Sequence, residues 1–181
     1  MENGRTMANP APLGLAAWGI TAFLVSSGDA NLWNGAGYEV FLPLALFYGG
    51  IVSILVSIME FFRGDAIGVA FFGTFGAFWL AIWYDISSHQ GSDGLHGVFF
   101  MSFAVAAFIF WMAVMKRSML HNLFGLLLTL TLIMEAIGSW GDGQSSLAKA
   151  GGWIGILASL VALYMAAKAL INEEHGKVLL P

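Results

Sequence analysis

Six apolar runs, each close to the length of a membrane-crossing helix, leave this chain little choice of fold. They cover approximately residues 11–27, 40–59, 66–84, 95–115, 120–138 and 150–171. A helix needs about 20 predominantly apolar residues to cross the hydrocarbon core, and the run 66–84 carries no charge at all. Charged residues make up 10% of the chain and hydrophobic ones 59%, against about 25% charged in a soluble domain. A water-soluble core cannot hide that much apolar surface. The expected class is therefore all-α and integral to the membrane: a bundle of six transmembrane helices forming one membrane domain over 1–181, with no extramembrane domain.

The charges orient the bundle. Arg5, Arg63, Lys116, Arg117, Lys168 and Lys177 fall on one side of a six-helix topology, and Lys149 on the other, with Asp29, Glu39, Asp85, Asp93 and Asp142. Cytoplasmic loops are enriched in Lys and Arg, so both termini are expected in the cytoplasm. A net charge of −4 and the lack of any basic run argue against nucleic acid. There is no cysteine, which excludes disulfides and thiolate metal sites. Arg5 ahead of an apolar run resembles a signal peptide, but five more spans follow it.

The first span has a marked start, Asn9-Pro10-Ala11-Pro12-Leu13-Gly14. Asn is a good helix N-cap, and Pro suits the first helical position. Such a terminus carries partial positive charge and free N–H donors, which suit an anion. Glycine is abundant, 23 of 181 residues, and much of it lies within the spans, where small residues let membrane helices approach closely.

With NPAPLGL at 9–15, the chain resembles the acetate uptake (succinate/acetate permease) family. The stretches FYGGIVSILVSIMEFFRGDAIGVAFFGTFGAFW (47–79), GWIGILASLVALYMA (152–166) and INEEHGKVLLP (171–181) are similar to the same family. The resemblance implies a six-helix protomer, assembly as a homohexamer, and a separate pathway in each protomer for acetate and related short carboxylates, succinate among them. It implies a prokaryotic cell membrane, since fungal members carry a long amino-terminal extension. No cofactor is implied; the expected partners are the small carboxylate, protons, the lipid bilayer and further copies of the chain.

In that family three bulky side chains on helices 1, 3 and 5 narrow the pathway, typically phenylalanine, tyrosine and leucine. The matching positions here are Trp18, Phe75 and Leu128. Two depart from the common residues: Trp18 is bulkier, and Phe75 lacks the hydroxyl. A hydrophobic constriction gates ions by dewetting; the competing reading is plain core packing. Asn9 and the N–H groups after it are candidates to meet a carboxylate, or simply to cap the helix. Thr21, Thr74 and Thr129, with Ser53, could offer hydroxyls to substrate, or bond their own helices.

Glu135, in IMEAIGSW, is the acid expected well inside a span, where the family usually has an apolar residue. Intramembrane ionisable groups are rare and often functional, and burial disfavours the charged form of a carboxylate. Glu135 is thus a candidate for coupling acetate to a proton, or else a solvated vestibule residue. Glu60 and Arg63, three apart, are expected to form a local ion pair, and His121 an interfacial anchor. His89 and His96 are assigned to the outer loop, too isolated for a metal site. A membrane enzyme would need catalytic groups clustered at one depth, and a haem protein would need histidines within spans; neither pattern is present. A structural or sensing protein fits the composition but leaves NPAPLGL unexplained. Proton symport and a passive acetate channel both fit.

Overall fold

The computed structural model describes residues 7–33, 37–88, 93–140 and 146–181. Arg5, His89 and Asp142 lie outside the described residues. Among those described, all regular structure is helical, and six helices are long and apolar enough to cross a membrane.

Helix α1 spans Ala11–Asp29, α3 Ala66–Ser88, α4 Asp93–Val114, α5 Met119–Ser139 and α6 Ser146–His175. The second span, α2, runs through three pieces: α-helix Tyr38–Leu44, π-helix Ala45–Val52 and α-helix Ser53–Arg63. Pro43 lies just before the π segment and lacks the N–H of a regular turn. Within the segment, Gly49 and Gly50 let neighbours come close: a Cβ on Gly49 would lie 2.8 Å from both Thr21 and Trp79.

α1 packs mainly on α6, α2 on α3, α4 on α5, and α5 also on α6. The α1–α6 contact depends on small residues, since a Cβ on Gly152 would sit 2.7 Å from the backbone of Asp29 and of Ser26. Between α3 and α4 the filling is aromatic: Phe78 stacks on Phe99 at 5.5 Å and meets Phe103 edge-on at 4.9 Å. Large apolar side chains of α4, among them Val105, Phe108, Ile109 and Met112, point outward, as a lipid-facing or subunit-facing surface requires.

Arg63-Gly64-Asp65 forms a helix stop and a helix start in three residues. Gly64 is left-handed at φ 77°, and the N–H groups of Gly64 and Asp65 close back on the carbonyls of Phe61 and Glu60, the Schellman arrangement. Asp65 then caps α3, its Oδ1 accepting from the N–H of Ile67 at 3.0 Å and of Gly68 at 3.1 Å. Burial raises the Asp65 pKa, but these N–H groups and Arg117 outweigh it and hold the carboxyl below its usual range. At the other end of the chain, Gly176 turns the backbone at φ 60°. Asn172 Oδ1 then accepts from Leu179 and Leu180 at 2.8 and 2.9 Å, tying the tail to α6.

Candidate functional site

Helices α1, α3 and α5 start from the same side of the bundle and run in parallel. Trp18 lies seven residues into α1, Phe75 nine into α3 and Leu128 nine into α5. At 1.5 Å per residue these are depths of roughly 10–14 Å, near mid-membrane. All three are buried, at 4%, 1% and 3% exposure, and all three line one cavity of about 290 Å³.

That cavity extends toward the ends of these helices away from the basic residues, and is called the outer cavity. Below it lies a smaller one of about 90 Å³, walled by Leu15, Phe71, Phe124 and Glu60 and also by Leu128. A third space of about 300 Å³ opens at the basic end, beside Asn9, Lys168 and Asn172; it shares Ala11, Leu15, His121 and Met165 with the second. The three spaces follow one another along α1 and α5. Leu128 belongs to both sides of the narrowing between the outer two.

The narrowing has two aromatic tiers. Trp18 meets Phe124 edge-on at 4.9 Å, Phe75 touches Phe71 at 4.9 Å, and Phe71 and Phe124 lie 5.7 Å apart. Trp18 and Phe75 face the outer cavity, Phe71 and Phe124 the inner one. The inner tier escaped the sequence reading. Its signal was the i, i+4 spacing of Phe71 and Phe75 in a run otherwise rich in aromatics.

The polar candidates divide. Thr21 Oγ1 donates to the Ala17 carbonyl at 2.8 Å and Thr129 Oγ1 to that of Gly125 at 2.7 Å. Neither these residues nor Thr74 line the three spaces. Thr131 and Ser26 do line the outer cavity. Helix α1 is assigned from Ala11, with Pro10 at the capping position, yet Asn9 Oδ1 accepts from the Ala11 N–H at 3.1 Å. The backbone donors there are few, since Pro10 and Pro12 have no N–H and that of Ala11 is used. Asn9 Oδ1 also accepts from Arg63 Nη1 at 2.7 Å.

Glu135 lines the outer cavity together with Asp29. Glu135 Oε1 is buried without a hydrogen-bond partner, close to Gly151, where a Cβ would come within 2.8 Å of it. Asp85 and His96 also line this cavity, paired at 2.6 Å; His96 belongs to α4, not to a loop.

Glu135 is not alone among acids within the spans. α2 continues through Arg63, which places Glu60 inside it and fully buried. Arg63 Nη1 donates to Glu60 Oε2 at 2.9 Å, the ion pair expected from their spacing. The apolar run ends at residue 59, whereas the helix runs four residues further.

The fold has a close counterpart among solved structures. The chain is similar to a solved bacterial protein described as the acetate channel SatP, with a TM-score of 0.91 at 26% identity over 97% of this chain and 99% of that one. It is 28% identical to the succinate-acetate/proton symporter SatP of Escherichia coli (strain K12), over 97% of this chain and 95% of that protein. It is 25% identical to acetate permease A of Emericella nidulans, over 98% of this chain and 66% of that protein. These relatives are membrane transporters or channels rather than enzymes. Residues 2–181 match the sequence profile of the GPR1/FUN34/yaaH family, and this multi-pass membrane protein belongs to it.

Proposed function

We propose that the protein carries acetate and related short carboxylates, including succinate, across the membrane, with uptake coupled to protons. The observation that carries this reading is the row of three cavities narrowed between Trp18, Phe75 and Leu128. An apolar gap at that depth suits a small substrate that sheds its water, and above all one whose charge is neutralised. Asn9, at the basic mouth, and these three residues make up the proposed pathway set; Thr21, Thr74 and Thr129 stand beside it, lining none of the three spaces. The hydroxyls of Thr21 and Thr129 shape their own helices.

Proton coupling solves an electrical problem. Moving an anion inward against a negative-inside potential is opposed by about 2.3 kcal/mol per 100 mV. An acid that moves with its proton is neutral and escapes that opposition. Glu135, in a cavity whose lining among the described residues carries Asp29, Asp85 and His96 but no Lys or Arg, is the proposed loading site for that proton.

The protein acts as a homohexamer in a prokaryotic cell membrane, each protomer holding its own pathway and both termini cytoplasmic. Supporting this are the outward apolar faces of α4 and the placement of Arg63, Lys116, Arg117, Lys168 and Lys177 at one end of the helices. Labelled acetate uptake into proteoliposomes, with and without a protonophore, tests the function. Uptake above protein-free vesicles that rises with an inward proton gradient supports it. Uptake above those vesicles that ignores the gradient supports a passive acetate channel, and no uptake rejects acetate transport. In Glu135→Gln the shape stays and the titration goes, so gradient-driven uptake is expected to lose its dependence on external pH.

A further inference from the structure

Glu60 takes no part in the proton loading proposed for Glu135, yet among the described residues it is the charged side chain with the least exposed surface. Its side chain is 1% exposed. One oxygen is engaged: Oε2 accepts from Arg63 Nη1 at 2.9 Å. The other, Oε1, is buried with no hydrogen-bond partner. A buried carboxylate oxygen without a donor is costly, and such a group in a native structure calls for an explanation. Here the residue belongs to the wall of the inner cavity, together with Phe71 and Phe124 of the inner aromatic tier.

The surroundings are built around this group. A Cβ on Gly68 of α3 would lie 2.8 Å from Glu60 Cγ, so glycine makes the room. Arg63 fixes Oε2 and is itself held by Asn9 Oδ1. The other charged or titratable groups lining the cavity are Asp65, Arg117 and His121; Asp65 and Arg117 are paired with each other at 3.3 Å. Helices α1, α3 and α6 offer the cavity only Ala11, Leu15, glycine, phenylalanine and Met165, besides Ile67. Among the described residues at this level, Glu60 Oε1 is thus the buried acceptor without a partner, in the wall of a cavity large enough for a few waters or one small acid.

We infer that the inner cavity is a binding subsite for the protonated form of a short monocarboxylic acid, in which Glu60 Oε1 accepts the acid's O–H and takes its proton. The inference rests on the proton-coupled reading above and extends it to the cytoplasmic half. The step balances: the O–H bond of the acid breaks, a new O–H bond forms on Glu60, and the substrate is left as a carboxylate. That anion leaves through the mouth beside Lys168 and His121. The proton on Glu60 passes to water in the same space, restoring the carboxylate beside Arg63.

The test is acetate uptake in right-side-out membrane vesicles at fixed external pH, with the internal pH varied. The parent rate should change with internal pH, by up to about tenfold per unit where one group titrates. Glu60→Gln should flatten that internal-pH profile while keeping the dependence on external pH. Glu60→Asp, which keeps a carboxyl, should restore the internal-pH profile at a lower rate. Thermal melts in detergent identify the folded variants; if Glu60→Gln does not fold, Glu60→Asp is read alone. A folded Glu60→Gln with the parental internal-pH profile, or a folded Glu60→Asp that has lost it, overturns the inference. A parent protein indifferent to the proton gradient instead overturns the proposed coupling itself.

Discussion

Arg63 Nη1, at the end of α2, lies 2.7 Å from Asn9 Oδ1 at the start of α1, 54 residues away in sequence. One side chain therefore ties the first helix's N-terminus to the buried Glu60. Asn9→Ala removes a cap and this tie, at a cost of about 1 kcal/mol. Arg63→Ala leaves the Glu60 carboxylate buried and unpaired, and should cost more, about 1.5–3 kcal/mol. Thermal unfolding in detergent ranks the two; a larger loss in Asn9→Ala would contradict the geometry.

Asp65 joins the cap of α3 to the Arg117 ion pair. Its folded carboxyl titrates below the usual value. The stabilisation is therefore complete above the unfolded value, near pH 4, and is lost as pH falls through the lower folded value. Asp65→Asn keeps a capping oxygen but loses the charge. Its stability should fall short of the parent's at neutral pH and converge with it under strong acid, as followed by melting temperature against pH. A difference that stays constant down to strong acid would contradict this.

The α1–α6 contact should tolerate no side chain at position 152. Gly152→Ala places a methyl against the backbone of Ser26 and Asp29, which cannot move aside as a rotamer can. The expected loss is about 1–3 kcal/mol, read as a lowered melting temperature. An unchanged melt would mean that the two helices part easily.

How much of this was legible in the sequence depended on which physical signal each feature leaves. The spans leave a strong one, because hydrocarbon demands long apolar runs, and Glu60–Arg63 left one in its spacing. The burial of Glu60 left no such signal, because hydropathy ends at the last apolar residue while the helix continues through charged residues that pair. Asp29 lies two residues past the apolar run 11–27, yet α1 extends to include it. The π segment of α2 left no pattern, as Ala45–Val52 is apolar all round. Trp18, Phe75 and Leu128 were reached through family motifs, because a buried aromatic that gates and one that packs look alike in sequence.

The absence of cysteine makes the topology directly measurable. Leu32→Cys, beyond the end of α1, and Glu173→Cys, near the end of α6, both replace exposed residues. An impermeant thiol reagent should label Leu32→Cys from outside intact cells, and Glu173→Cys only after the membrane is opened. Labelling of both from the same side would contradict the proposed orientation.

The central claim is that substrate passes between Trp18, Phe75 and Leu128, and the initial rate of labelled acetate uptake in proteoliposomes tests it most directly. Trp18→Ala opens the outer tier and should raise the rate, with Phe75→Ala and Leu128→Ala acting in the same direction. Leu128→Trp fills the place where the two cavities meet and should lower it by about tenfold, equivalent to some 1.4 kcal/mol in the barrier. Opposite shifts in variants that melt and assemble like the parent are the predicted result. Parental rates in all four would show that these side chains only pack the core and that acetate does not pass between them.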